Sequence, residues 1–120
     1  MIQMLEGLHD KVIGLKLSGR LHDEDYDRFV PHVDQAVEHH GKIRMLVHFE
    51  DFHGWSAHAL WDDMVFAAAH VQDIERIAMV GEKTWEEWMA KVCKPFTRAT
   101  IRYFDHAEAE QARAWIEEGL

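Results

Sequence analysis

The sequence predicts an α/β fold made of one domain, residues 1–120, with a mainly parallel sheet, an N-terminal antiparallel hairpin and the order ββαβαβαβα. Short strand-like segments alternate with segments of helical periodicity, which is typical of parallel strands joined by helical crossovers. The 120 residues, 48% hydrophobic and 29% charged, are enough for one globular core.

The chain begins with two strand candidates, Ile2 to Leu5 and Val12 to Ser18. The polar segment Glu6 to Lys11 joins them, and this short connection favours an antiparallel hairpin.

The first predicted helix runs from Leu21 to His40, because its apolar residues recur at helical spacing. Asp23 is the candidate N-cap and Gly41 the stop. Pro31 lies inside the segment, so we expect it to bend or restart the helix.

The segment Ile43 to Phe49 is almost continuously apolar, which predicts an inner strand covered on both faces. We expect the acidic, aromatic residues that follow it to form a turn, and a second helix to run from Ser56 to Val71. Such a turn would lie at the carboxyl end of the sheet, where sites of open α/β folds usually lie.

Another short strand, Arg76 to Val80, is closed by Gly81. A third helix opens at Thr84, which has the capping-box spacing to Glu87, and Pro95 ends it.

The last predicted strand, Ala99 to Phe104, alternates as an outer strand does. Asp105 and Glu108 cap a final helix, whose apolar residues are Ala112, Trp115 and Ile116.

Composition excludes several classes of function. A formal charge of −9 with scattered basic residues argues against nucleic acid as a partner. No apolar run approaches the ~20 residues of a membrane span, so we expect no membrane insertion. The single Cys93 excludes an internal disulfide, and the absence of a signal peptide favours a cytoplasmic location.

No catalytic signature stands out, so we expect no enzymatic activity. Cys93 would need a nearby histidine to act as a nucleophile, and Gly81 to Thr84 lacks the spacing of a phosphate-binding loop. Asp51, His53, His58 and Asp62 could converge on a divalent metal, but the chain has neither a Cys-x-x-Cys pair nor a His-Glu-x-x-His helix. We therefore expect no metal and no cofactor.

The candidate binding residues lie in the predicted turn and in the two helices after it. We expect Asp51, His53, Trp55 and Ser56 to form a ligand-binding or partner-binding surface with Trp61, Trp85 and Trp88. The tryptophans belong to wide apolar stripes whose simplest role is core packing, while a ligand cleft and a dimer surface are the alternatives.

Ser56 has two interpretations. As an N-cap it would satisfy an amide of the second helix and contribute about 1 kcal/mol. As a phospho-acceptor it would place a dianion at a helix N-terminus, although Glu50 and Asp51 nearby would oppose that charge.

The element order, with the segments EDFHGWSAHALWDD and GEKTWEEWMAKVCKPFT, resembles the SpoIIAA-like proteins of the STAS superfamily over essentially the whole chain. STAS domains are small α/β modules that regulate by binding other proteins. Their anti-sigma-factor antagonists carry a phosphorylatable serine at the start of the second helix, a position that falls near Ser56. The antagonists' Asp-Ser-[Ser/Thr]-Gly type loop is replaced here by Phe-His-Gly-Trp-Ser, residues 52–56.

The resemblance implies a non-enzymatic regulatory module that binds a protein partner, either another protein or a second copy in a homodimer. The SpoIIAA-like branch is also similar in fold to lipid-carrying CRAL-TRIO domains, which implies the alternative of a carrier or sensor of a small apolar ligand. In that alternative Trp61, Trp85 and Trp88 would form the walls of a pocket, with His53 and Ser56 at its rim.

Overall fold

The computed structural model describes residues 2–55, 73–81 and 99–120. Its strands are β1 (Ile2–Leu5), β2 (Val12–Leu21), β3 (Ile43–Trp55), β4 (Ile74–Gly81) and β5 (Thr100–Asp105). Its helices are α1 (Asp23–His40) and α2 (Ala109–Glu117), the latter preceded by a 3-10 turn, His106–Glu108. The predicted helices Ser56 to Val71 and Thr84 to Pro95 lie outside the described residues.

The five strands form one sheet in the order β1-β2-β3-β4-β5. β1 pairs antiparallel with β2, and every later pair is parallel. The predicted hairpin, the mainly parallel sheet and the outer position of the last strand are therefore confirmed.

The sheet buries both of its faces. On one face Leu15, Met45 and Phe49 belong to a cluster with Phe29 and Val33 of α1. On the other face, Leu46, Ala78, Val80 and Phe104 cluster with Ala112 and Ile116 of α2. β3 contributes to both clusters, as the apolar run of its first seven residues predicts.

The N-cap of the first helix lies one residue before the predicted one. His22, not Asp23, is the N-cap, and its backbone N–H donates to Asp25 Oδ2 at 2.9 Å. The helix continues through Pro31 without restarting, and the Gly41 N–H donates to Val37 O at 2.7 Å. Gly41 has φ 79°, a conformation that glycine adopts at little cost, and so ends the helix as predicted.

The final helix is held at both ends. Asp105 donates its backbone N–H to Glu108 Oε1 at 3.2 Å, so the predicted pair forms a capping box, but it caps the 3-10 turn that leads into the helix. At the other end, Arg44 Nη1 donates to Ile116 O at 3.1 Å and to Glu118 O at 2.6 Å. Carbonyl groups at the C-terminus of a helix lack intrahelical donors, so the guanidinium group of Arg44 supplies the missing hydrogen bonds.

Candidate functional site

The carboxyl end of β3 differs from the sequence prediction. Residues 50–55, expected to form a turn, continue the strand and pair with β2 as far as Leu21 and Trp55. The pairing of β3 with β4 ends earlier, at His48 and Val80. Residues 17–21 and 49–55 therefore extend the sheet beyond its pairing with β4, and they are called here the β2–β3 ribbon.

The first of two register shifts between β2 and β3 explains why the ribbon was missed. Leu17 pairs with Phe49 and Gly19 with Phe52, so β3 uses three steps where β2 uses two. This extra residue is a β-bulge, and it interrupts the alternation by which strands are recognised in a sequence. As a result Phe49 and Phe52, three positions apart, are both buried, and their ring centroids lie 5.1 Å apart.

Asp51 lies in the bulge and has φ 48°, whereas Phe52 beside it is fully buried. Aspartate tolerates this left-handed conformation better than most residues, because its short polar side chain can bond locally. The side chain of Asp51 is exposed. The structure therefore carries one predicted site residue on a backbone fixed by buried aromatic neighbours.

The other predicted site residues are only partly located. His53 and Trp55 belong to the last residues of β3, which places their backbone in the ribbon beside Asp51. Ser56, Trp61, Trp85 and Trp88 lie outside the described residues. Their convergence with Asp51 on one surface stays a prediction.

A polar cluster that the sequence analysis missed lies beside the ribbon, on the sheet face that packs against α2. Lys16 forms an ion pair with Glu50, with Nζ and Oε2 2.7 Å apart. The ring of His48 meets that of His106 edge to face, with centroids 4.9 Å apart. Register could have found part of this cluster, since Lys16 and His48 are direct partners across parallel strands.

Electrostatics within this cluster favour the charged form of Glu50. The hydrogen bond and the positive charge of Lys16 lower the pKa of the Glu50 carboxyl below its ordinary value of 4.5, and His48 and His106 add smaller effects. Within the ranges 2–55, 73–81 and 99–120, no group of three or more His, Cys, Asp or Glu residues is arranged to hold a metal ion.

None of the helices that the structure describes is long and apolar enough to cross a membrane.

Comparison with known proteins agrees with this architecture. A family model described as SpoIIAA-like matches residues 12–117. The chain is similar to a solved, uncharacterized protein of the DUF3478 family with a SpoIIAA-like fold from Shewanella loihica, with 28% identity, 97% of this chain and 92% of that chain covered, and a TM-score of 0.79.

The fold is also similar to that of the anti-sigma factor antagonist SpoIIAA in its unphosphorylated form. The two share 14% identity, with 92% of this chain and 96% of that chain covered and a TM-score of 0.58. Comparison with curated proteins gives no match. On its matched residues and its sheet topology, the chain belongs to the SpoIIAA-like family.

Proposed function

We propose that this protein is a non-enzymatic, single-domain regulatory module that binds another protein through the carboxyl end of its sheet. The observation that supports the proposal best is the β2–β3 ribbon, which holds an exposed carboxylate, Asp51, on a backbone anchored by Phe52. A binding residue on a fixed backbone lowers the entropic cost of association, because that backbone loses little conformational freedom when the partner binds. The structural similarity to an anti-sigma factor antagonist agrees with a protein as the partner.

The charge of this surface favours a basic partner. The formal charge of the chain is −9, and Asp51 adds its carboxylate at the exposed bulge, whereas Glu50 next to it is already paired with Lys16. A partner with arginine or lysine side chains would be drawn to this end and oriented by it. A second copy in a symmetric homodimer would bring like charges together, so we propose a different protein as the main partner.

Ser56 follows the ribbon directly and has a structural role in this proposal. We propose that it caps the second predicted helix and is not phosphorylated, because Glu50 and Asp51 precede it and would repel a phosphate dianion. His53, Trp55, Trp61, Trp85 and Trp88 would extend the partner surface beyond Asp51. The proposed setting is the cytoplasm, with no cofactor and no metal.

The alternative of a lipid-like carrier depends on Trp61, Trp85 and Trp88, which lie outside the described residues. We propose the interaction module in preference, because the feature that supports it, the exposed Asp51 in the ribbon, lies within the described residues.

Affinity purification with quantitative mass spectrometry would test the proposal. Asp51→Asn removes the charge and keeps a side chain that tolerates positive φ, so a partner bound at the ribbon should be depleted at least several-fold. Glu110→Lys on the exposed side of α2 is the matched control and should retain the partner. Equal recovery with both variants would contradict the ribbon as the binding surface, and native mass spectrometry of the same samples would report a homodimer.

A further inference from the structure

A cavity of about 190 Å³ lies on the opposite side of the sheet from α1. Leu5 and Leu8 of the hairpin region, Leu46 and Val80 of the sheet, and Ala109 and Arg113 of α2 line it. Three separate parts of the chain thus line one pocket that is open to solvent and has more apolar than polar surface. Neither the ribbon nor the predicted tryptophan surface includes any of these residues.

Small residues on the sheet and on α2 shape the surroundings of this cavity. A Cβ atom at Gly14 would lie 2.4 Å from Leu8 Cδ1 and 2.8 Å from Leu5 Cβ, so glycine is needed for the two leucines to approach the sheet. Ala109 contributes only a methyl group where α2 faces the cavity. Arg113 spans the gap from α2 to the hairpin, and its Nη2 donates to Glu6 O at 3.1 Å.

The volume limits what can bind. An apolar cavity of ~150 Å³ accepts a benzene molecule, whereas pockets for drug-sized ligands begin near ~300 Å³. About 190 Å³ therefore suits one aromatic ring or a short branched chain and is too small to bury a whole fatty acid.

The polar groups of the cavity favour an anionic head group. Arg113 is a permanent, half-exposed cation that bonds to the Glu6 carbonyl and lies near Glu117, with Nε 3.8 Å from Oε1. A guanidinium group has five N–H donors in a planar fork that matches a carboxylate, and these contacts leave donors to spare among the described residues. Glu6 and His48 complete the lining, and the exposed Glu6 carboxylate opposes an anion without removing the fixed cation.

We propose that this cavity binds a small monocarboxylic acid with an apolar body the size of one ring. The body would pack against Leu8, Leu46 and Val80, and the carboxylate would bond to Arg113. For a ligand of so few atoms we expect weak affinity, in the millimolar to submillimolar range. This site is independent of the proposed partner surface, because Asp51 takes no part in it.

Titration of the isotopically labelled protein with benzoate, followed by NMR, would test the proposal. We expect saturable shifts at the amides of Leu46, Val80 and Ala109, and weaker binding of benzylamine, which has the opposite charge. Tighter binding of benzylamine, or shifts confined to other residues, would overturn the assignment.

Variants separate the site from non-specific binding. Ala109→Leu should fill the cavity and reduce benzoate binding at least tenfold, whereas Ala114→Leu on the exposed side of the same helix should leave it unchanged. Ala109→Val is a milder filling variant if the larger side chain perturbs folding. Unchanged binding in a folded Ala109 variant would exclude this cavity.

Charge variants test the role of Arg113 separately. Arg113→Gln should weaken benzoate severalfold and leave benzyl alcohol unaffected, while Arg113→Lys should retain part of the affinity. Glu6→Gln should tighten benzoate binding, since it removes the opposing charge. Equal losses of benzoate and benzyl alcohol in Arg113→Gln would reduce the residue to a structural role.

Discussion

The charged side chains at the two ends of the parallel sheet differ in their surroundings. At the amino end, Glu75 accepts from Lys11 Nζ and Arg44 Nε, both at 3.2 Å, and Arg44 also reaches the C-terminus of α2. At the carboxyl end, the bulge turns Asp51 outward beside the buried Phe52. Charges at the amino end thus join parts of the fold, whereas at the carboxyl end the Asp51 carboxylate is exposed and available to the partner that we propose.

The largest loss of stability is expected when Phe52, which anchors the ribbon, is truncated. Phe52→Ala should lower the free energy of unfolding by about 3–5 kcal/mol, because truncating a fully buried aromatic ring leaves a cavity. Met4→Ala is the control, since Met4 is 42% exposed and should lose far less. Chemical denaturation of both variants measures the difference, and a loss for Phe52→Ala as small as the control's would mean that the ring does not anchor the ribbon.

The next effect concerns the amino end. Arg44→Met should cost about 1–3 kcal/mol, since it removes the donor to the last carbonyl groups of α2 and one of the two donors to the Glu75 carboxylate. Arg20→Met, at an exposed position in the ribbon, is the matched control and should change stability little. Thermal unfolding of the two variants compares the amino end of the sheet with the ribbon. Equal losses of stability would mean that the charges at the amino end do not stabilise the fold more than those of the ribbon.

The sequence was sufficient to predict the fold and insufficient to predict the candidate site, for two physical reasons. Strands such as Ile43 to Phe49 are revealed by burial on both faces, and the final helix by the spacing of Asp105 to Glu108. The ribbon was not revealed, because the bulge at Asp51 breaks the alternation that a strand prediction requires. The contact between His48 and His106 joins segments far apart in the chain, so only the tertiary structure could supply it.

A smaller effect should arise from the backbone at the bulge. Asp51→Gly should leave the free energy of unfolding unchanged or raise it by less than about 1 kcal/mol, since glycine adopts φ 48° readily but is more flexible when unfolded. Asp51→Val should lose stability instead, because a β-branched residue fits positive φ poorly. If valine were tolerated as well as glycine in denaturation experiments, the left-handed conformation of this residue would not constrain the ribbon.

The smallest effect concerns the ion pair of Lys16 and Glu50, which is exposed and therefore contributes little at neutral pH. The pH dependence of this contribution to stability is more informative than its magnitude. Because folding lowers the pKa of Glu50 below 4.5, the contribution is present above that value and is lost as the pH falls through the lower, folded-state pKa. NMR titration of the Glu50 carboxyl should show this lowered pKa in the wild type and a shift back towards 4.5 in Lys16→Met. A pKa unchanged by Lys16→Met would mean that the lysine does not hold the carboxylate, and Glu50 would then join Asp51 as a charge available to the partner.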